Sequence, residues 1–278
     1  MKKFLIAVLG IFLISVFLLL QINFNDEQKL KVVFFNIGQG DSSIIFFKDK
    51  SKMLIDCGPD KKVIASLGNY LPFYDRTIDY LLITHFDLDH YGGCIDVLKR
   101  YKVKNIIVNG DIKTGDHYWV EWEKQKNKEG AQEIIIYAPA VWQMAGADID
   151  FWWPKMVADF IPKDSNDKSI VFRLQADDFS ILFTGDMEEQ LENYLIKNLC
   201  KVGRSPCPSL HAEILKVGHH GSKSSTGQDF LNAVSPSRAI VSVGKNRFGH
   251  PSERIMFRLR RSGVEILRTD LIGDIIIE

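Results

Sequence analysis

Residues 80–90 constrain this chain more than any other stretch. Tyr80-Leu81-Leu82-Ile83 is an apolar run that reads as a buried strand, and His85-Phe86-Asp87-Leu88-Asp89-His90 follows it, ahead of Gly92-Gly93. Four groups able to bind a metal therefore sit in one turn at a strand end, where a rigid scaffold meets solvent and side chains can converge. Packing gives no reason to crowd two imidazoles and two carboxylates there, because the carboxylates repel one another without a cation between them. A bound divalent ion removes that repulsion and uses all four groups.

Other candidate ligands also follow apolar runs. Phe179–Phe183 leads into Thr184-Gly185-Asp186, and Glu213–Val217 into Gly218-His219-His220-Gly221-Ser222. Ala239–Val243 leads into Gly244 and on to Gly249-His250-Pro251-Ser252, while Met53–Ile55 leads into Asp56-Cys57-Gly58. Taken singly these are weak signals: Gly-Asp is commonly a turn or a helix cap, and Asp186 could cap a helix starting at Met187. Their agreement is the signal, since sheet edges can deliver every one of these residues to a single cleft.

The short β-rich runs Lys31–Ile37, Ser43–Phe47 and Met53–Ile55 read as an antiparallel meander. Helices are expected near Lys61–Tyr70, Gly93–Tyr101, Tyr118–Lys128, Met187–Leu199 and Glu253–Arg261, with strands between them. No repeat and no Pro/Gly-rich break divides residues 31–278, so they read as one α/β domain.

Lys2-Lys3 precede an apolar run from Phe4 to Leu20. Continued to Phe24, that run spans ~31 Å as a helix, enough to cross a bilayer. The basic flank should stay in the cytoplasm, and no small-x-small cleavage site follows. Residues 1–24 therefore read as an uncleaved signal anchor and residues 25–30 as a polar linker. The catalytic domain is then expected on the extracytoplasmic side of the cell membrane, the alternative being secretion after cleavage. Cys57 and Cys94 are expected to be small buried hydrophobes, and in an oxidising compartment Cys200 and Cys207 could pair. Lys plus Arg equals Asp plus Glu at 35 each, so global charge names no partner. From Lys201 onward, 12 basic residues face 7 acidic ones, a mild tilt toward an anionic substrate.

The order Asp, His-x-Asp-x-Asp-His, Thr-Gly-Asp, His-His-Gly-Ser resembles the metallo-β-lactamase fold of binuclear hydrolases. More narrowly, it is similar to the soluble nuclease-like domain of ComEC-type competence DNA-channel proteins. Asn36–Asp41, Asp56–Gly58, Thr84–Gly93, Asn166–Ser169, Phe183–Asp186, Lys216–Ser222 and Ser242–Pro251 carry the resemblance. It implies an αββα sandwich with two metals at one edge. It also implies that His85 and Asp87 hold the first ion, Asp89 and His90 the second, and that Asp186 bridges them. One of His219 and His220 would complete the second site, with His220 favoured and His219 left to contact substrate or orient water. Asp56, and by analogy Asp41, would fix a ligand imidazole through its other nitrogen. His250 would stand near the scissile phosphate, and Asn166, Ser169, Ser222 and Lys223 would meet the substrate.

Asp87 stands where many relatives have His, and Asn166-Asp167-Lys168-Ser169 stands where another ligand His is usual. Both changes trade nitrogen for oxygen, which favours manganese or magnesium over zinc. The expected activity is phosphodiester hydrolysis, on DNA first, by a water ionised between two ions. Lys216, Lys223, Lys245 and Arg247 could hold an anionic backbone. The alternatives are another phosphoester, such as cell-wall phosphorylcholine or teichoic acid, and a non-catalytic DNA-binding relative. One membrane segment makes no pore, so a role in DNA uptake would need a separate channel.

Overall fold

The structure, a computed structural model, describes Gly10, Ser15 and residues 29–113, 115–155, 158–200 and 206–278. The apolar run at 4–24 lies outside the described residues apart from Gly10 and Ser15. Among the described residues no helix is long and apolar enough to cross a membrane.

The described strands form two seven-stranded sheets. In the first, β1 (Lys31–Phe34), β2 (Ser43–Phe46), β3 (Lys52–Ile55), β4 (Thr77–Leu82), β5 (Lys102–Val108) and β6 (Gln132–Ile135) follow in order, with β14 (Ile275–Ile277) on the outer side of β1. The second runs β7 (Ala140–Met144), β8 (Ala147–Trp153), β9 (Val171–Ala176), β10 (Ser180–Phe183), β11 (Ile214–Lys216), β12 (Arg238–Val241), β13 (Glu265–Arg268). β1–β2–β3 is the expected antiparallel meander, with Val32 opposite Ile45 and Ile45 opposite Met53. From β3 to β6, and again from β10 to β13, neighbouring strands are parallel.

Side chains alternate across each strand, and the apolar residues divide accordingly. Phe34, Ile45, Met53 and Ile55 of the first sheet pack with Phe151, Phe172, Ile181 and Phe183 of the second. Phe183 stacks on Phe34 at 5.5 Å and on Phe172 at 4.7 Å, which joins the sheets face to face. The opposite faces are buried under helices. Val33, Leu54, Leu81 and Ile106 lie beneath α1 (Lys62–Tyr70), α3 (Cys94–Arg100) and α4 (His117–Glu129). Leu182, Leu215 and Ala239 lie beneath α5 (Glu189–Leu199), α6 (Gln228–Val234) and α7 (Glu253–Arg261). Strands buried on both faces are nearly continuous apolar runs, as in β2 and β10 after their first residue, a serine in each. The layers are thus helix, sheet, sheet, helix, as expected.

Three local differences have physical reasons. β7 was not expected; it is an edge strand whose apolar residues fall on both faces, which blurs a period of two. The ligand turn contains a one-turn helix, α2 (Leu88–Tyr91). Cys57 and Cys94 are buried but are not free thiols: they form a disulfide, as do Cys200 and Cys207. The first pair is 37 residues apart in sequence. The contact arises because the loop after β3 packs against the start of α3, and a Cβ on Gly93 would lie 2.3 Å from the Cys57 carbonyl, so only glycine permits that approach.

Candidate metal centre

Parallel strands place their carboxyl ends on one edge, where open α/β sheets bind ligands. Here β3 delivers Asp56, and β4 delivers the turn from Thr84 to His90. β10 delivers Asp186, β11 delivers His219 and His220, and the chain after β12 returns through His250. Both sheets contribute, so the residues converge from two sides.

Asp186 lies between them. Its Oδ1 is 3.3 Å from His90 Nε2, while its Oδ2 is 3.5 Å from His220 Nε2 and 3.9 Å from His219 Nε2. His220 Nε2 is also 3.2 Å from Asp89 Oδ2. His85, His90 and Asp186 form one compact group of ligand atoms and Asp89, His90 and His220 another. His85 Nε2, His90 Nε2, His220 Nε2 and Asp186 Oδ1 are all buried without a hydrogen bond. Buried polar atoms left this way are costly unless something else satisfies them, and four aimed at one another suit cations. The donor set therefore fits one or two divalent ions.

Each imidazole is oriented from behind. Asp56 Oδ1 accepts from Thr84 N at 2.8 Å, and its Oδ2 accepts from Thr84 Oγ1 at 2.7 Å and from His90 Nδ1 at 2.9 Å. A carboxylate only accepts, so His90 carries its proton on Nδ1 and turns the Nε2 lone pair inward. His220 Nδ1 donates to the Ser242 carbonyl at 3.0 Å, with Asp41 Oδ1 at 3.2 Å beside it. Thr84 Oγ1 gives its proton to Asp56 and so accepts from His85 Nδ1 at 3.1 Å. Asp56, His219 and His220 all have positive φ, at 52°, 46° and 52°. Such left-handed residues are strained and persist where surrounding structure over-determines them.

Without a cation, protons hold the cluster together. Burial opposes charge on His220, but the Asp186 and Asp41 carboxylates outweigh it and raise the imidazole to about 10. His90 is likewise driven well above its ordinary value, against burial, by Asp186 and Asp56. Burial works to raise Asp186, yet His220 and His90 hold it well below the usual carboxylate range. To hold a cation, His90 and His220 would have to give up the protons on their inward nitrogens.

Asp41 lies beside His220 Nδ1 at 3.2 Å and Asp56 beside His90 Nδ1 at 2.9 Å. Asp87 is held by Lys113 Nζ at 2.7 Å and by Ser165 Oγ at 2.9 Å, with His85 Nε2 at 3.7 Å. His250 faces His219, ring centroids 5.3 Å apart, and its Nδ1 is buried without a partner. Asn166 Nδ2 lies 3.4 Å from His219 Nδ1.

Three expectations are corrected. Lys216 does not face an anionic backbone: it is buried, 2.6 Å from Asp41 Oδ2, and donates to the Val217 carbonyl. Ser169 is buried, accepts from Asp186 N at 3.0 Å and lies 3.3 Å from His85 Nδ1, so it braces two ligands instead of meeting substrate. Ser222 is buried against Ser224 Oγ at 2.9 Å. Lys223 is exposed. Thr84, Lys113, Ser165, Ser242 and Glu188 were missed. Glu188 lies 3.3 Å from His219 Nδ1, and its place two residues after Asp186 was the available signal.

A family model described as the metallo-beta-lactamase superfamily matches residues 36–245. The chain belongs to that superfamily, whose members are generally metal-dependent hydrolases. ComE operon protein 3 of Bacillus subtilis is 31% identical over 261 residues, covering 86% of this chain and 32% of that protein. Competence protein ComA of Neisseria gonorrhoeae is 32% identical over 252 residues, covering 89% of this chain and 32% of that one. This superfamily member thus spans about a third of the length of either relative. Among solved structures, the short form of human tRNase Z aligns with a TM-score of 0.52 at 12% identity, covering 89% of this chain and 98% of that one. At that identity the likeness shows the fold alone.

Proposed function

We propose that this chain is a membrane-anchored, two-ion phosphodiesterase that cleaves DNA. The observation that carries the reading is Asp186, whose two oxygens face His90 on one side and His220 and His219 on the other. His85, Asp87 and Asp186 would hold one ion; Asp89, His90, His220 and Asp186 would hold the other. Two divalent ions so held would lower the pKa of an attacking water and offset charge on the phosphoryl oxygens. The oxygen-rich first set favours manganese or magnesium over zinc.

The protein's own groups do the rest. Lys113 and Ser165 fix the Asp87 carboxylate, and Glu188, accepting from Nδ1, sets the His219 ring. His219 and Asp89 orient the attacking water. His250, partly exposed and beside His219, would meet the leaving oxygen; burial and the neighbouring His219 and His220 hold its imidazole below the ordinary value, so there it would act as a hydrogen-bond donor. Lys223, Lys245 and Arg247 are exposed and carry the charge that a phosphate backbone needs. The likeness to a protein named for competence, ComA, is in keeping with DNA as the substrate. Pairing of all four cysteines supports an oxidising, extracytoplasmic location, which is where an anchor at residues 1–24 would place the domain.

The purified full chain in detergent should hydrolyse bis(p-nitrophenyl) phosphate and DNA with added manganese and stop with chelator. Hydrolysis of the small ester without DNA cleavage would redirect the reading to another phosphoester. No hydrolysis of either with manganese, magnesium or zinc would end it.

A further inference from the structure

We infer that the loop from Gly244 to His250 is a stacking platform for an unpaired nucleobase, so that the strand led to the site is single-stranded nucleic acid. The inference rests on the phosphodiesterase reading of that site and adds the form of its substrate.

Phe248 is 65% exposed. Its ring lies 5.8 Å from the His250 ring at 31°, and His250 lies 5.3 Å from His219. His219 in turn reaches Asp186, with 3.9 Å between Nε2 and Oδ2. A run of rings thus leads from an exposed aromatic face to the metal ligands. A strand rising about 3.4 Å per nucleotide covers that run within roughly five nucleotides.

The loop holds this face in place. Asn246 Nδ2 donates to the Gly244 carbonyl at 2.8 Å and to the His250 carbonyl at 2.7 Å. Its Oδ1 accepts from Phe248 N at 3.0 Å and from His250 N at 3.1 Å. One amide therefore uses both donors and both acceptor positions within the loop. At its base, a Cβ on Gly244 would lie 2.4 Å from the Gly38 backbone, so the loop is seated directly on the 38–39 turn. An aromatic side chain on a fixed backbone has only two torsions to lose when a ligand stacks on it.

Lys245 and Arg247 precede Phe248 in the same loop. Both are exposed, and neither makes a salt bridge among the described residues. An aromatic face on a loop that also carries unpaired cations is the pattern that binds single strands, with bases on the ring and phosphates on the charges. In a duplex the base faces are already stacked, and a lone ring has nothing to cover.

The test is binding of full-length protein to an eight-nucleotide single strand, with chelator present so that nothing is cleaved. Phe248→Ala should weaken binding roughly 5- to 100-fold, the range for loss of one stacked base, with the salt dependence unchanged. Phe248→Trp should restore it. A fully abasic strand should bind the wild-type protein as weakly as the intact strand binds Phe248→Ala, and the two changes together should add nothing. Equal affinity of wild type and Phe248→Ala for the intact strand would overturn the inference, as would equal affinity of wild type for the intact and abasic strands, or binding to neither. Manganese-dependent hydrolysis of bis(p-nitrophenyl) phosphate by the wild type would persist through such a failure. Absence of hydrolysis of that ester and of DNA with manganese, magnesium and zinc would instead sink the phosphodiesterase reading.

Discussion

Asp186 and Asp56 are both buried carboxylates, yet they do different work because of what they face. Asp186 presents oxygens to imidazoles on two sides, whereas Asp56 touches only the back of His90 and the Thr84 N–H and hydroxyl. Asp186→Asn removes a charge and one ligand oxygen from the shared position. Isothermal titration should then find fewer ions per chain and hydrolysis should fall by more than about 100-fold, beyond the range typical of an outer partner. Full stoichiometry would remove the bridging role. Asp56→Asn keeps every ligand but puts an amide against His90 Nδ1, so the preferred tautomer loses its acceptor. Metal affinity should drop roughly 10- to 100-fold with the stoichiometry intact. Unchanged affinity would show that Thr84 and packing alone orient His90.

At the scale of elements, the loops that carry ligands are tied to helices. The Cys57–Cys94 disulfide joins the Asp56 loop to α3, closing 37 residues of chain. Replacing both cysteines by serine should cost about 4 kcal/mol by loop entropy, read as a lower denaturation midpoint under non-reducing conditions. On the second sheet, α5 holds the 226–227 strap through Glu192, whose Oε2 accepts from Gly227 N at 2.7 Å while Oε1 accepts from Thr226 N. Burial raises the Glu192 carboxyl to about 8, against these donors and Arg258. The unfolded chain releases that proton near the ordinary 4.5, so between about 4.5 and 8 only the folded state binds it, and stability falls as pH rises through that window. Glu192→Gln should flatten that fall in urea melts across the window; an unaltered slope would assign it elsewhere. These ties explain what sequence could and could not show. His85–His90 is local and follows an apolar strand, and Asp186 and His220 each end one, so short-range pattern found them. Cys94, Lys113, Ser165 and Lys216 reach their partners only through tertiary closure. Lys216 looks like a surface cation because the buried Asp41 that neutralises it is 175 positions away in sequence.

Across the whole molecule the ligand set belongs to neither sheet alone. His85, Asp87, Asp89 and His90 come from the end of β4, and Asp186, His219 and His220 from the ends of β10 and β11. Phe34, Phe172 and Phe183 join the two sheets through the apolar interior, but at the ligand edge the facing groups are carboxylates and imidazoles. There the joining force is charge, and a cation supplies it better than shared protons do. Any ion that binds only the folded chain stabilises it by mass action, about 2.7 kcal/mol per site at a hundredfold excess over Kd. For a domain of this size that amounts to roughly 5–10 °C in melting temperature per ion. Manganese should therefore raise the melting temperature and excess chelator should lower it. Hydrogen exchange should show the loss of protection at 84–90, 185–187 and 218–222 together, since these segments share the ions. Asp186→Asn should respond weakly to manganese. Exchange that loosened one sheet's loops while leaving the other's protected would mean that the cation is held by one side only, and the two-sided site would have to be abandoned.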